Sequence, residues 1–144
     1  MAAPIKQFRD HLGEADDGFS GPSKWEACGS HRTDYGPSCA EVMASLLGKG
    51  HRTVDYPMVQ AYAAGLVAQR CIEEAGTLED SALREVAERL DFSTFYGRFK
   101  IDPVTGAQLG RSTVLVQWQQ GRKVLVGPSD QRQAPRVYPW RTRQ

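Results

Sequence analysis

Near residue 91 the spacing of apolar residues changes from a period of about 3.6 to a period of 2. Upstream, Val42, Met43, Leu46 and Leu47, and later Leu83, Val86, Ala87 and Leu90, recur at helical intervals. Downstream, Phe95, Gly97, Phe99 and Ile101 alternate with Tyr96, Arg98 and Lys100, and Val114, Val116 and Trp118 repeat the pattern. Helices grouped ahead of strands argue for an antiparallel sheet, because a parallel sheet needs strands and helices in alternation. The expected fold is therefore α+β: three to four helices with a small antiparallel sheet that includes a C-terminal β-hairpin, in one compact unit over 1–144.

Local signals place the elements. Ile5, Phe8 and Leu12 predict a short first helix stopped by Gly13, followed by a brief strand and the loop residues Gly18–Ser23 that lead to Trp25. Gly36-Pro37 puts a proline at the start of the next helix, which ends at Gly48. A third helix runs from Pro57 to about Ala75 with Gly76 as its left-handed stop. Its stretch Ala61–Ala68 is apolar nearly all round and predicts burial. Thr77 and Asp80 make a weak capping box for a fourth helix. Asp102–Gly106 reads as a turn, Gln119–Arg122 as a hairpin reversal into Lys123–Val126, and the Pro- and Arg-rich remainder as a tail that hugs the surface.

The candidate chemistry is thin. Cys28, His31, Asp34 and Cys39 are zinc-compatible types, but structural zinc wants paired short spacings and only one pair is short. An incidental loop is the reading, with no metal and no cofactor. Cys71 reads as a small core hydrophobe. Gly48–Thr53 lacks the Gly-Lys-Ser/Thr ending of a phosphate loop and follows a helix where a strand is required, so it reads as a connection. No nucleophile, base and orienting group assemble into a catalytic set, and no enzyme activity is expected. Trp25, Tyr56, Tyr62, Tyr96, Trp118, Tyr138 and Trp140 are rings that line clefts in some proteins and fill cores or interfaces more often.

Charge is unevenly divided. Residues 1–106 carry 11 basic and 16 acidic side chains, a net −5, whereas 107–144 carry 7 basic and 1 acidic, a net +6. The basic residues are dispersed among Pro and Gln, which points to a protein-facing surface and away from nucleic acid. No run approaches the roughly 18 apolar residues of a membrane span. The opening residues lack the pattern of a signal peptide, which as written implies retention in the compartment of synthesis. Three cysteines make no disulfide framework.

Taken in order, Gly21-Pro22-Ser23-Lys24-Trp25, Tyr35-Gly36-Pro37-Ser38, Ala61-Tyr62-Ala63-Ala64-Gly65, Glu74-Ala75-Gly76-Thr77, Phe92–Phe99, Ile101–Gly106 and Val114–Trp118 form a specific series. The series resembles the C-terminal portion of type I periplasmic binding proteins, and more narrowly the branched-chain amino acid and amide receptors of ABC transporters. The resemblance covers nearly the whole chain and has no counterpart to the family's larger N-terminal part. It implies a fragment of a two-lobed fold, with 1–34 and 113–144 as second-lobe elements and 35–112 as first-lobe elements. Trp25, Tyr56, Val59 and Gln60 are the cleft-facing positions it matches, for a small amino acid or amide bound weakly. An apolar helix deprived of its usual cover implies a homodimer. The second reading is an oligomeric interaction module with no retained ligand site.

Overall fold

The computed structural model describes residues 6–26, 32–51 and 53–138. Among them are four α-helices, a three-stranded antiparallel sheet and a two-stranded antiparallel hairpin, an α+β fold. The chain divides into two compact units, one of Met1–Glu26 with Thr113–Gln144 and the other of Ala27–Ser112.

In the first unit, α1 (Lys6–Leu12) runs into a 3-10 turn at Gly13–Asp16, and the sheet is ordered β1 (Ser20–Ser23), β4 (Val114–Gln119), β5 (Arg122–Gly127). Gly21-Pro22, expected as loop, lies within β1. An edge strand tolerates proline because one row of its N–H groups has no ladder partner to lose. The β4–β5 reversal needs two residues, Gln120 and Gly121, both at positive φ (51° and 79°). Those angles belong to the turn whose twist matches that of paired strands.

Three polar side chains are sealed into this unit: Ser23, whose hydroxyl donates to the Trp25 carbonyl at 2.9 Å, Asp16 and Gln117. Asp16 is 1% exposed and accepts bonds from Arg9 Nη1 at 3.0 and 3.3 Å, while the Arg9 guanidinium lies 5.5 Å from the Trp118 ring centre. Gln117, 2% exposed, donates from Nε2 to the carbonyls of Gly18 (2.9 Å) and Val137 (3.2 Å), and its Oε1 accepts from Val137 N (2.9 Å) and Gln119 Nε2 (2.7 Å). A buried amide left half-bonded would cost about 1–3 kcal/mol per missing partner. The tail past β5 supplies two of the four bonds, through Val137, and Gly18 and Gln119 supply the others.

In the second unit, α2 (Cys39–Gly48) begins one residue beyond Pro37-Ser38. Ser38 Oγ accepts from Glu41 N, and the Glu41 carboxylate accepts from Ser38 N at 2.8 Å, a complete capping box. Those bonds, the Ser38 side chain first, hold the Glu41 carboxyl below the usual range. The helix start is thus fixed by a cap at Ser38, with the proline one residue outside it. Next, α3 (Tyr56–Ala75) carries Pro57 in its first turn and ends at Gly76 in the left-handed conformation (φ 64°). α4 (Asp80–Arg89) is capped at Glu79, two residues after the predicted Thr77, whose hydroxyl instead accepts from Glu79 N.

The alternating run at 95–101 is not one strand. β2 (Phe92–Thr94) and β3 (Gly97–Phe99) pair antiparallel, with Phe95 and Tyr96 as the turn between them. Gly97 at φ 126° makes so tight a reversal accessible. Asp34 anchors the hairpin: its Oδ1 accepts from Ser93 N at 2.5 Å, and the Ser93 carbonyl accepts from Asp34 N and Tyr35 N.

Buried residues of this unit include Val42, Val59, Ala63, Leu66, Val86, Phe92, Phe95 and Tyr96. The expected burial of Ala61–Ala68 holds only for the stripe through Ala63 and Leu66; Ala61, Tyr62, Ala64, Gly65 and Ala68 are exposed. One face of a helix meets the hairpin and α4, and the described structure leaves the other uncovered.

Two glycines separate close approach from mere flexibility. A Cβ on Gly110 would lie 2.5 Å from the Arg98 carbonyl oxygen and 3.0 Å from Lys100 N, whereas one on Gly65 would meet nothing within 4 Å. Gly110→Ala should therefore lower the urea midpoint, while Gly65→Ala should raise stability by about 0.5–1 kcal/mol, as expected in a helix interior.

Candidate functional site

The second unit holds a cavity of about 140 Å³ between α3 and the 92–99 hairpin. Gln60, Ala63, Ala64 and Val67 form its helical wall, spaced at i, i+3, i+4 and i+7 so that all four share one face. Tyr96, Gly97 and Phe99 supply the hairpin side, and Gln108 and Arg111 arrive from the connection that follows. The alanines make the space: a larger residue at 63 or 64 would fill it.

Its polar groups are few and fixed. Tyr96 donates its hydroxyl to Gln60 Oε1 at 3.2 Å. The Arg111 guanidinium stacks 3.7 Å from the Tyr96 ring centre, and its Nη1 donates to the Tyr96 carbonyl at 3.1 Å. A guanidinium held both by a ring face and by a carbonyl is pre-oriented. Among the described residues no carboxylate lies within ion-pair distance of Arg111, and Gln60 Nε2 has no protein acceptor. Donors therefore remain for a ligand, while both amide oxygens are engaged, that of Gln60 by Tyr96 and that of Gln108 by Lys100 N and Gly110 N.

Arg98 also reaches the cavity but is committed elsewhere. Its Nε and Nη2 donate to the two Asp91 oxygens at 2.6 and 2.5 Å, and Lys100 Nζ adds a third bond at 3.1 Å. The bonds from Arg98, then Lys100, hold the Asp91 carboxyl well below the usual carboxylate range.

The candidate residues separate. Gln60 lines the cavity; Tyr56, half-buried, opens the same helix one turn earlier; Val59 is 0% exposed and packs in the core. Trp25 belongs to the other unit, where it is 7% exposed and bonded through its backbone to Ser23 Oγ. Tyr96 stood among the candidate rings, but Arg111 carried no periodic signal. The one available clue was that it is the only basic residue between Lys100 and Arg122.

Of the cysteine–histidine cluster, Cys28 and His31 lie outside the described residues, and Asp34 is engaged with the hairpin. Among the described residues no group of three or more His, Cys, Asp or Glu could hold a metal ion. Burial pushes the Cys71 thiol up, which suits a packing role. No described helix is long and apolar enough to cross a membrane. Comparison with models of known protein families and with curated proteins finds no match.

The depressed Asp91 carboxyl gives a pH prediction. Its contribution to stability is fully present above the unfolded-state value near pH 4 and is lost as pH falls below that toward its folded value. Acid titration of urea midpoints should therefore show Asp91→Asn with a shallower decline below about pH 4 than the wild type, and identical slopes would remove the ion cluster from the acid response.

Proposed function

We infer that this chain is a small-molecule-binding module, as its resemblance to solute-binding receptors implies, and that the α3 cavity takes a short amide or a small carboxylate. The observation that carries the reading is the pair of donors, Arg111 and Gln60 Nε2, at a space whose other polar side chains, Arg98, Thr94 and the Gln108 oxygen, are engaged within the protein. A carbonyl or carboxylate oxygen would satisfy both while a short aliphatic body lies against Ala63, Ala64, Val67 and Phe99. Small-molecule sites commonly run to about 300–1,000 Å³, so a cavity of about 140 Å³ supports a ligand of only a few heavy atoms. No acidic residue lines it. That favours amides and simple carboxylates over amino acids, whose ammonium group would find no counter-charge.

Thermal melting against acetamide, propionamide, propionate and small amino acids tests this. A ligand at 100 times its Kd stabilises by about 2.7 kcal/mol, a rise of about 5–10 °C for a chain of this size. The rise is expected for the amides and propionate, and should disappear in Arg111→Gln and shrink in Gln60→Leu. Flat melting curves across the panel would sink the reading.

A second reading, self-association, is favoured by the exposed stripe Ala61, Ala64, Gly65 and Ala68 on α3, beside which Tyr62 is 37% exposed. Small residues at i, i+3, i+4 and i+7 let a second helix approach closely, and twofold pairing is the commonest way to cover such a face. Light scattering should find a dimer at micromolar concentration, with Gly65→Lys monomeric. A wild-type monomer at all concentrations would exclude it.

A further inference from the structure

The first unit carries a feature unrelated to the α3 cavity, a C-terminal segment laid along its sheet. Past β5 the chain turns at Pro128–Gln131, where Gln131 N donates to the Pro128 carbonyl, and then lies against the sheet. Among the described residues, the hydrogen bonds that hold it there involve its backbone or the Gln133 side chain. Gln133 N and Ala134 N donate to the Leu125 carbonyl, and Leu125 N donates to Gln133 Oε1. Gln119 Nε2 donates to the Pro135 carbonyl at 2.8 Å, and the Gln117 amide pairs with both the N–H and the carbonyl of Val137.

A primary amide that bonds the N–H and C=O of one residue presents the same donor and acceptor as a neighbouring strand's peptide group. The sheet thus reads the tail as a chain, with little regard for its side chains: Arg136 is exposed, Tyr138 is 87% exposed and Val137 41%. The one side-chain feature is a cavity of about 450 Å³ beside Val137, bordered by Trp118, Val124 and Arg122. Gln117 is 2% exposed and all four of its bonds are made. Two of those bonds, to Gly18 and Gln119, lie outside the tail; the other two are made only when a peptide group lies where Val137 does.

We propose that the Gln117–Gln119 face is a peptide-binding site, held closed by the protein's own residues 133–138, whose external ligand is a peptide segment with an apolar residue two positions after a proline. The tail serves as the template for that ligand: the carbonyl of Pro135 meets Gln119, the backbone of Val137 meets Gln117, and the Val137 side chain meets the cavity. Tethered close to its site, the tail competes at an effective concentration on the order of millimolar. An external peptide therefore binds measurably only when it is abundant or when the tail is weakened.

The test uses the full chain and a fluorescein-labelled peptide of residues 131–138, followed by anisotropy. Val137→Pro deletes the tail's own N–H donor, so this variant should bind the peptide on the order of tenfold or more tightly than the wild type. Adding Gln117→Leu to that variant should abolish binding, and a peptide N-methylated at the valine should not bind. In the wild type, excess unlabelled peptide should speed deuterium exchange at residues 133–138, a readout that needs no altered tail. Absence of binding to Val137→Pro together with unchanged exchange in the wild type would overturn the proposal. So would equal binding of the N-methylated peptide, which would mean that charge alone attracts it.

Discussion

A two-stranded hairpin does not stand by itself in water, and that constraint organises the second unit. Residues 92–99 form such a hairpin, and they find their further layer in α3 and in the loop that carries Tyr35. Phe92 meets Tyr35 and Phe99 at ring separations of 5.5 and 5.4 Å, and Phe95 meets Tyr62 at 5.7 Å. Edge-on ring contacts add about 0.5–1.5 kcal/mol each to the area they bury. The cavity is a by-product of that docking. Large aromatic residues on the hairpin meet an α3 face built from alanines, so the backbones come close at the contacts and leave a gap beside them. Tyr96 and Arg111, stacked on each other, turn the gap from a packing defect into a polar-ended pocket.

The first unit solves a different problem. It carries polar side chains inward as well as outward: the buried Asp16, Ser23 and Gln117 are each hydrogen-bonded, while Glu26 Oε1 lies buried without a hydrogen-bond partner among the described residues. Arg9 neutralises Asp16, a buried carboxylate that would otherwise be strongly unfavourable, and Arg9 in turn lies over Trp118. Gln117 completes its four bonds only because the tail returns, since Val137 supplies two of them. Removing either partner would leave more than a missing contact, since a buried polar atom without a partner is the larger penalty. The basic residues of 107–144 take their places accordingly: Lys123 pairs with Glu26 at 2.9 Å, whereas Arg136 is carried by the tail.

The elements with strong local codes were legible in the chain. Gly76 as a left-handed stop, Pro57 in the first turn, the reversal at Gln120-Gly121 and the alternation in β4 each depend on nearest neighbours, and each is where the pattern puts it. Errors arose where two local codes overlapped. Phe95, Gly97, Phe99 and Ile101 alternate as a strand would, but Gly97 also permits a reversal, and the hairpin wins because Asp34 holds Ser93 and the rings gain the α3 surface. Within the candidate site Gln60 lines the cavity, while Val59, its neighbour, points by helical geometry into the core.

By itself the sequence determined the class of fold, because the switch of hydrophobic period separates helices from strands without any knowledge of their packing. It also determined the chemistry on hand: many rings, scattered arginines and a string of glutamines. The tertiary structure alone decided which of these meet. Arg111 reaches Tyr96 across 15 residues and Gln117 reaches Val137 across 20, distances over which no local pattern carries information. The surroundings then decided their worth, since an amide or guanidinium is routine in water and gains a fixed orientation only where the folded chain supplies its partners.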